Sequence, residues 1–241
     1  MATFLLIPGA GGSAWYWHRV VPELRSRGHR AVAVELPAGD PAADLHSYAR
    51  TCVDAYRDAC AGSPSGGTTV VVGQSLGGFT VPLVAEQIDS DRIVLVNAMI
   101  PLPDETPGHW FENSGAGEAR AEMAVRDGRD VGAGIEPMND FFHDVPDDVV
   151  AAAMAQGEPD QAGEVMGSVC TFDDWPAPVT VVGGAEDRFF PIDFQRRQAR
   201  ERLGADITVL PGGHLIALSR PVELAEVLLA VAGDSVSPTT D

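Results

Sequence analysis

The sequence predicts an α/β fold, a mostly parallel six-stranded sheet with helices on both faces, and three observations carry that expectation. Six short apolar, β-branched runs alternate with stretches of helical spacing, the pattern of a parallel sheet covered on both sides. The alternation breaks once, between Met99 and Pro176, where prolines, glycines, acids and scattered aromatics take the place of a buried strand. The third apolar run ends in Gly73-Gln74-Ser75-Leu76-Gly77, a Gly-x-Ser-x-Gly turn that leads into a helix.

Taken in order, Thr3 to Ile7 reads as the first buried strand, closed by Pro8 and the glycine-rich loop Gly9 to Ser13. Trp15 to Arg27 has helical spacing and Gly28 stops it. Ala31 to Leu36 is a second strand ended by Pro37, and a helix from about Asp44 to Ala61 leads into the loop Gly62 to Gly67. Thr68 to Val72 is the third strand and Phe79 to Gln87 the helix after the serine. Pro82 inside that helix should remove one hydrogen bond and bend the axis. Arg92–Ala98, Pro178–Gly183 and Asp206–Leu210 supply strands four to six, with helices from about Ile192 to Leu203 and Pro221 to Ala232 after the last two.

The interruption, from about residue 100 to 176, is expected to form a helical cap over the C-terminal edge of the sheet, with helices near Glu118–Arg126 and Val145–Gln156. Its Trp110, Phe111, Phe141, Phe142 and Trp175 argue for a packed segment, because disordered chain is poor in such residues. Residues 1–241 are expected to be one domain, with a disordered tail at 233–241.

Composition narrows the function. The net charge of −19, from 35 acidic and 16 basic residues, argues against nucleic acid or an anionic membrane as partner and reads as a solvated acidic surface. All sixteen basic residues are arginine. Without lysine there is no Schiff base to pyridoxal phosphate and no phosphate-loop amine. Gly9-Ala10-Gly11-Gly12 also lacks the Gly-x-Gly-x-x-Gly spacing, since Ala14 stands at the last position. No His-Glu-x-x-His or paired His/Cys spacing suggests a metal, so neither metal nor cofactor is expected. Of the three cysteines, Cys52 and Cys60 fall on one helix about 12 Å apart, too far to bridge. The N-terminus carries no basic leader and its apolar run is short, so the expectation is a cytoplasmic protein acting on a small molecule.

A serine on a strand-to-helix turn sits in strained backbone with its hydroxyl held out above the sheet edge. It becomes a nucleophile only when a base takes its proton. Of six histidines, His18, His29 and His46 fit surface positions in the N-terminal half, while His109 and His143 fall in the cap. His214, in Pro211-Gly212-Gly213-His214 directly after the last strand, is placed to reach back across the sheet edge. The acid should lie on the loop after the fifth strand. Asp187 is preferred there as the shorter side chain one step deeper, although spacing alone leaves Glu186 open. The chain order Ser75, Asp187, His214 is that of a hydrolase triad.

With those residues in place, the chain resembles the α/β-hydrolases, in the branch of plant hydroxynitrile lyases, small-molecule methylesterases and bacterial esterase-like proteins. The stretches Leu6 to Trp15, Gly73 to Gly78 and Gly212 to Pro221 carry the resemblance, which is weakest in the cap. It implies the α/β-hydrolase fold and an oxyanion hole made by the backbone N–H groups of Ala10 and Leu76. This chain departs from the family pattern at Pro8 and at Gln74, where histidine is common. It also has Gly9 and Leu215 where the lyases have threonine and lysine. Lacking the cation that would stabilise departing cyanide, it is expected to hydrolyse a small neutral ester through an acyl-enzyme. The expected pocket is walled by Gly9, Gly11, Trp110, Phe111, Phe141, Phe142 and Leu215. The alternatives are a lyase, cyclase or cofactor-free oxygenase on the same scaffold, and a non-catalytic small-molecule receptor or carrier.

Overall fold

The computed structural model describes residues 1–62, 67–131, 134–157 and 160–233. Six strands, β1 (Thr3–Ile7), β2 (Arg30–Ala33), β3 (Thr69–Gln74), β4 (Arg92–Val96), β5 (Val179–Gly184) and β6 (Ile207–Leu210), form one sheet. Their order is β2-β1-β3-β4-β5-β6, and every pairing is parallel. Parallel strands need crossovers of a dozen or more residues, so all six C-terminal ends gather at one edge and the loops that follow them meet there. Register places Gly73 beside Ile7 on one side and Leu95 on the other, so the serine turn leaves the sheet between the ends of two neighbouring strands.

The side chains of β1 sort by the two-residue period of a strand. Leu5 and Ile7 face a core built with α2 (Leu45–Cys60) and α3 (Gly77–Gln87), in which Tyr48, Phe79 and Val84 are buried. Phe4 and Leu6 face the other core, with Leu24 of α1 (Val20–Ser26) and Leu224 and Leu228 of the C-terminal helix Pro221–Val231. α2 starts where Asp44 accepts from the Ser47 amide and Ser47 returns a bond to the Asp44 backbone, a capping box that fixes its first turn. Cys52 and Cys60 both lie on this helix and are free, as is Cys170.

Among the described residues between β4 and β5 are five short helices: α4 (Pro107–Asn113), α5 (Ala116–Arg126), α6 (Pro137–Asp140), α7 (Asp147–Met154) and α8 (Glu164–Gly167). α9 (Ile192–Leu203) follows β5, and α10 (Ile216–Ser219) and α11 (Pro221–Val231) follow β6. Of the five cap helices, only α5 and α7 were expected. The others have one or two turns, too few for a periodic signal. For α4 a start signal was nevertheless present, since Thr106 caps the His109 amide and Pro107 takes the first helical position.

Two further boundaries differ from expectation. The stretch 15–27 divides into a 3₁₀ turn, Ala14–Trp17, and α1, because Pro22 lacks the N–H that a continuous helix would need and is tolerated only in a first turn. β2 ends at Ala33 rather than Leu36, where the Leu36 amide turns to the carbonyl of Gly12. The expected disordered tail falls almost wholly on residues 234–241, outside the described residues. Among the described residues no helix is long and apolar enough to cross a membrane.

Candidate active site

The serine turn is held by close packing. A Cβ on Gly73 would strike Val81 of α3, and one on Gly77 would come 2.6 Å from the carbonyl oxygen of Pro8. Ser75 itself has φ 50°, the left-handed region that L-residues adopt only when their surroundings hold them there. Its amide donates to the Val96 carbonyl, and its own carbonyl accepts from Gly78 and Met99. The side chain is left to project at the edge, 8% exposed.

Two residues from distant parts of the chain complete a line with it. His214 Nε2 lies 3.1 Å from Ser75 Oγ, and His214 Nδ1 lies 2.8 Å from Asp187 Oδ2. Asp187 is fully buried and His214 is 3% exposed. Because a carboxylate accepts at Nδ1, that nitrogen carries the hydrogen of the neutral ring, and Nε2 presents its lone pair to the serine hydroxyl. Asp187 Oδ1 takes the amides of Phe189 and Phe190 at 2.8 Å each, so the carboxylate is fixed at both oxygens. Glu186, the alternative acid, is exposed, and its carbonyl instead meets His143 Nε2 at 2.9 Å.

Further groups, which the sequence did not single out, set this geometry. Asn97, the residue after β4, reaches both the His214 and the β5 loops. Gln195 of α9 donates to Asp187 Oδ2 at 3.1 Å. Phe141, Phe189 and Phe190 surround the imidazole, with ring centroids 5.1–5.4 Å from it. The cap clasps the histidine loop where Asp144 Oδ2 accepts from the Gly213 amide at 2.8 Å. Beside it, burial and then the Arg188 guanidinium hold the His143 imidazole below its usual pKa. A polar residue ending the apolar run Arg92–Ala98 was a visible signal for Asn97. Gln195, on a helix face far along the chain, gave none.

The loop after β1 forms the opposite wall. Gln161 of the cap accepts from the Gly11 amide at 3.0 Å and donates to Tyr48 Oη at 3.2 Å, which anchors that loop. Ala10 and Leu76 both line the cavity that holds Ser75 and His214. No group among the described residues takes either of their amide hydrogens.

That cavity measures about 400 Å³ and is walled largely by Met99, Phe111, Phe141, Phe142, Phe189 and Leu215. A second lobe of about 560 Å³ shares Ala10, Gly11, Gln74, Phe141, Phe142 and Leu215 with it and adds Gly9, Trp15, Met154 and Leu218. Of the seven expected wall residues, six line one lobe or the other. Trp110 does not. It is fully buried, donates from Nε1 to the Ile100 carbonyl and packs edge-on against Phe190 and against Phe194 of α9. An indole must both fill volume and satisfy its N–H, and this one does so in the core. Trp175 likewise packs against Phe172, away from both lobes.

The two buried thiols offer no rival nucleophile. Burial raises Cys52 and pushes Cys170 up to about 12, whereas a reactive cysteine needs a stabilised thiolate. Among the described residues no group of three or more His, Cys, Asp or Glu is arranged to hold a metal ion.

An all-parallel sheet with a serine, an acid and a histidine gathered at its C-terminal edge defines the α/β-hydrolase class. The chain belongs to the alpha/beta hydrolase family, whose model matches residues 4–227. It is 37% identical over 119 residues to a probable esterase of Oryza sativa, a match covering 45% of this chain and 43% of that protein. An alpha-hydroxynitrile lyase of Arabidopsis thaliana is 26% identical over 255 residues, covering 96% and 97% of the two chains. Polyneuridine aldehyde esterase superposes with a TM-score of 0.74 at 20% identity, covering 96% of this chain and 99% of that one. A pyrethroid hydrolase from Sphingobium faniae JZ-2 superposes at 0.71 and 22% identity, over 97% and 98%. At such identities the superpositions speak for the fold alone.

Proposed function

We propose that this protein is a serine hydrolase that cleaves a small, neutral carboxylic ester through an acyl-enzyme on Ser75. The observation that carries the reading is the continuous line from Ser75 Oγ through His214 to Asp187, at 3.1 and 2.8 Å, opening on a largely apolar cavity. His214 Nε2 takes the serine proton as Oγ attacks the ester carbonyl. Asp187 holds the ring and stabilises the imidazolium that forms. The free amides of Ala10 and Leu76 receive the oxyanion, about 3 kcal/mol for each donor in sites of this type. His214 then protonates the departing alcohol, and a water activated by the same nitrogen releases the acid.

Size and charge narrow the substrate. Cavities of this volume suit small molecules, and affinity comes from apolar area at about 25 cal/mol per Å² removed from water. A chain of net charge −19 disfavours polyanionic substrates such as acyl-CoA. The Arabidopsis relative makes cyanohydrin cleavage the second reading. Against it, none of the residues lining the serine lobe is a cation, and Leu215 follows the histidine.

The test is product analysis by mass spectrometry with an aromatic methyl ester, a long-chain acyl ester, an acyl-CoA and an aromatic cyanohydrin. The aromatic methyl ester should give acid and methanol with the highest kcat/KM. Cleavage of the cyanohydrin alone would move the assignment to a lyase, and an acyl-CoA preferred by tenfold or more would refute the apolar-pocket reading.

A further inference from the structure

One polar group in the wall of the site is used by nothing in that mechanism. Gln74, the last residue of β3 and next to Ser75, is 3% exposed and lines both lobes of the cavity. Among the described residues its Nε2 has no hydrogen-bond partner. A buried amide left without a partner is costly, and native folds keep one only where something else supplies the bond.

Its place is defined by Gly9. A Cβ built on Gly9 would strike Gln74 Oε1 and come within 2.8 Å of Ser75 Cβ. The carboxamide, the oxyanion loop and the nucleophile therefore share one small piece of wall, and the glycine leaves room for the amide. No protein bond holds Nε2, and the terminal torsion of a glutamine is broad and two-fold, so the amide group can turn its N–H toward a bound molecule. The remaining walls of the two lobes are mostly aromatic and aliphatic. The donor thus stands at the junction of two apolar compartments, beside the position of the scissile carbonyl.

We propose that Gln74 is a specificity-determining residue that donates a hydrogen bond to a second oxygen of the substrate, one or two carbons from the scissile carbonyl. The substrate class is then a 2-hydroxy or 3-oxo ester with apolar groups on both sides of this polar centre, one for each lobe. The proposal rests on the esterase reading above and narrows it. Such an oxygen gives the orphaned amide its missing partner on binding, whereas the deoxygenated ester leaves it buried and unpaired. Sites built to bond a polar group reject analogues that lack it for this reason.

The experiment compares matched esters: methyl mandelate with methyl phenylacetate, and methyl 3-oxo-3-phenylpropanoate with methyl 3-phenylpropanoate. For each pair the ratio of kcat/KM is divided by the ratio of hydroxide-catalysed rates, which removes the intrinsic activation of the ester by the extra oxygen. Wild type and the Gln74→Met and Gln74→Leu variants are measured side by side, Met being unbranched and close in length should Leu disturb the turn. In at least one pair the corrected ratio should be tenfold or more higher in wild type than in either folded variant, about the factor that one neutral hydrogen bond provides. Equal corrected ratios in wild type and variant, with all four esters cleaved, overturn the role of Gln74 and leave the esterase reading standing. Failure of the wild type to cleave any of the four overturns both.

Discussion

Asn97 Nδ2 donates to the carbonyl oxygen of His214 at 2.9 Å, and to that of Gly213 at 3.0 Å. Its Oδ1 accepts from the Gly184 amide at 2.7 Å and from Gln195 Nε2 at 3.2 Å. The side chain is fully buried, and the backbone takes φ 45°, which asparagine tolerates better than most residues. One amide thus ties the histidine loop to the end of β5, and the 2.8 Å contact between His214 and Asp187 depends on both. Each buried group it would leave unpaired costs about 1–3 kcal/mol. Asn97→Ala should therefore lower the melting temperature by on the order of 5 °C or more and reduce kcat more than it changes KM. A variant that melts and turns over like wild type would show that the loops are held without it.

Gln195 acts on the acid directly. Its Nε2 meets Asp187 Oδ2 at 3.1 Å and the Phe190 carbonyl at 2.7 Å. A donor on a carboxylate stabilises the charged form and weakens its pull on a neighbouring proton. In Gln195→Leu the Asp187 carboxylate loses that donor and the Phe190 carbonyl loses its partner, so the line from Asp187 through His214 to Ser75 is held less firmly. Gln195→Leu should therefore lower kcat by on the order of tenfold while changing KM little, about the factor that one lost hydrogen bond provides. A variant that melts earlier but keeps the wild-type kcat would mean that Gln195 only supports packing.

The two candidate acids separate by substitution. Asp187→Asn should lower kcat by roughly 10⁴-fold, since the amide favours the wrong tautomer of His214. Glu186→Gln should stay within about threefold, because an exposed charge outside the site changes little. Reversed effects in steady-state kinetics would move the acid by one residue.

Aromatic residues of the cap divide into two roles. Trp110→Ala removes a fully buried indole that packs the cap against Phe190 and Phe194 and should cost about 3–5 kcal/mol in denaturant unfolding. Phe142→Ala alters a wall shared by both lobes and should raise KM for an aromatic ester with a smaller loss of stability. If Trp110→Ala altered only KM and Phe142→Ala only stability, the placement of the two rings would be wrong.

What could be read in advance follows from how local the cause was. Strand β3, the glycines around Ser75 and the loop before His214 are dictated by neighbours within a few positions, so their chemistry is visible in the chain itself. That the strands run parallel was legible from their alternation with helices, but the order β2-β1-β3-β4-β5-β6 was not, because a parallel crossover does not say which strands become neighbours. The cap was legible only as an interruption, because its short helices take their stability from the sheet beneath rather than from their own periodicity. Trp110 was misplaced for a related reason. An aromatic count shows that a segment packs, but not whether a ring faces a cavity or the core. Asn97 stood out as a polar residue in an apolar run, but its partners and those of Gln161 lie 87 to 150 positions away, and Gln195, eight positions from Asp187, sits on a helix face that did not mark it.

Acylation of Ser75 is the central claim, and trapping the acyl-enzyme tests it most directly. Wild-type protein mixed with an activated aryl ester and quenched within the first turnovers should gain the mass of one acyl group, on the peptide that contains Ser75. Folded Ser75→Ala should gain none and retain no more than a trace of hydrolysis. Undiminished hydrolysis by Ser75→Ala, or an acyl group carried on any other residue during turnover, would contradict the account.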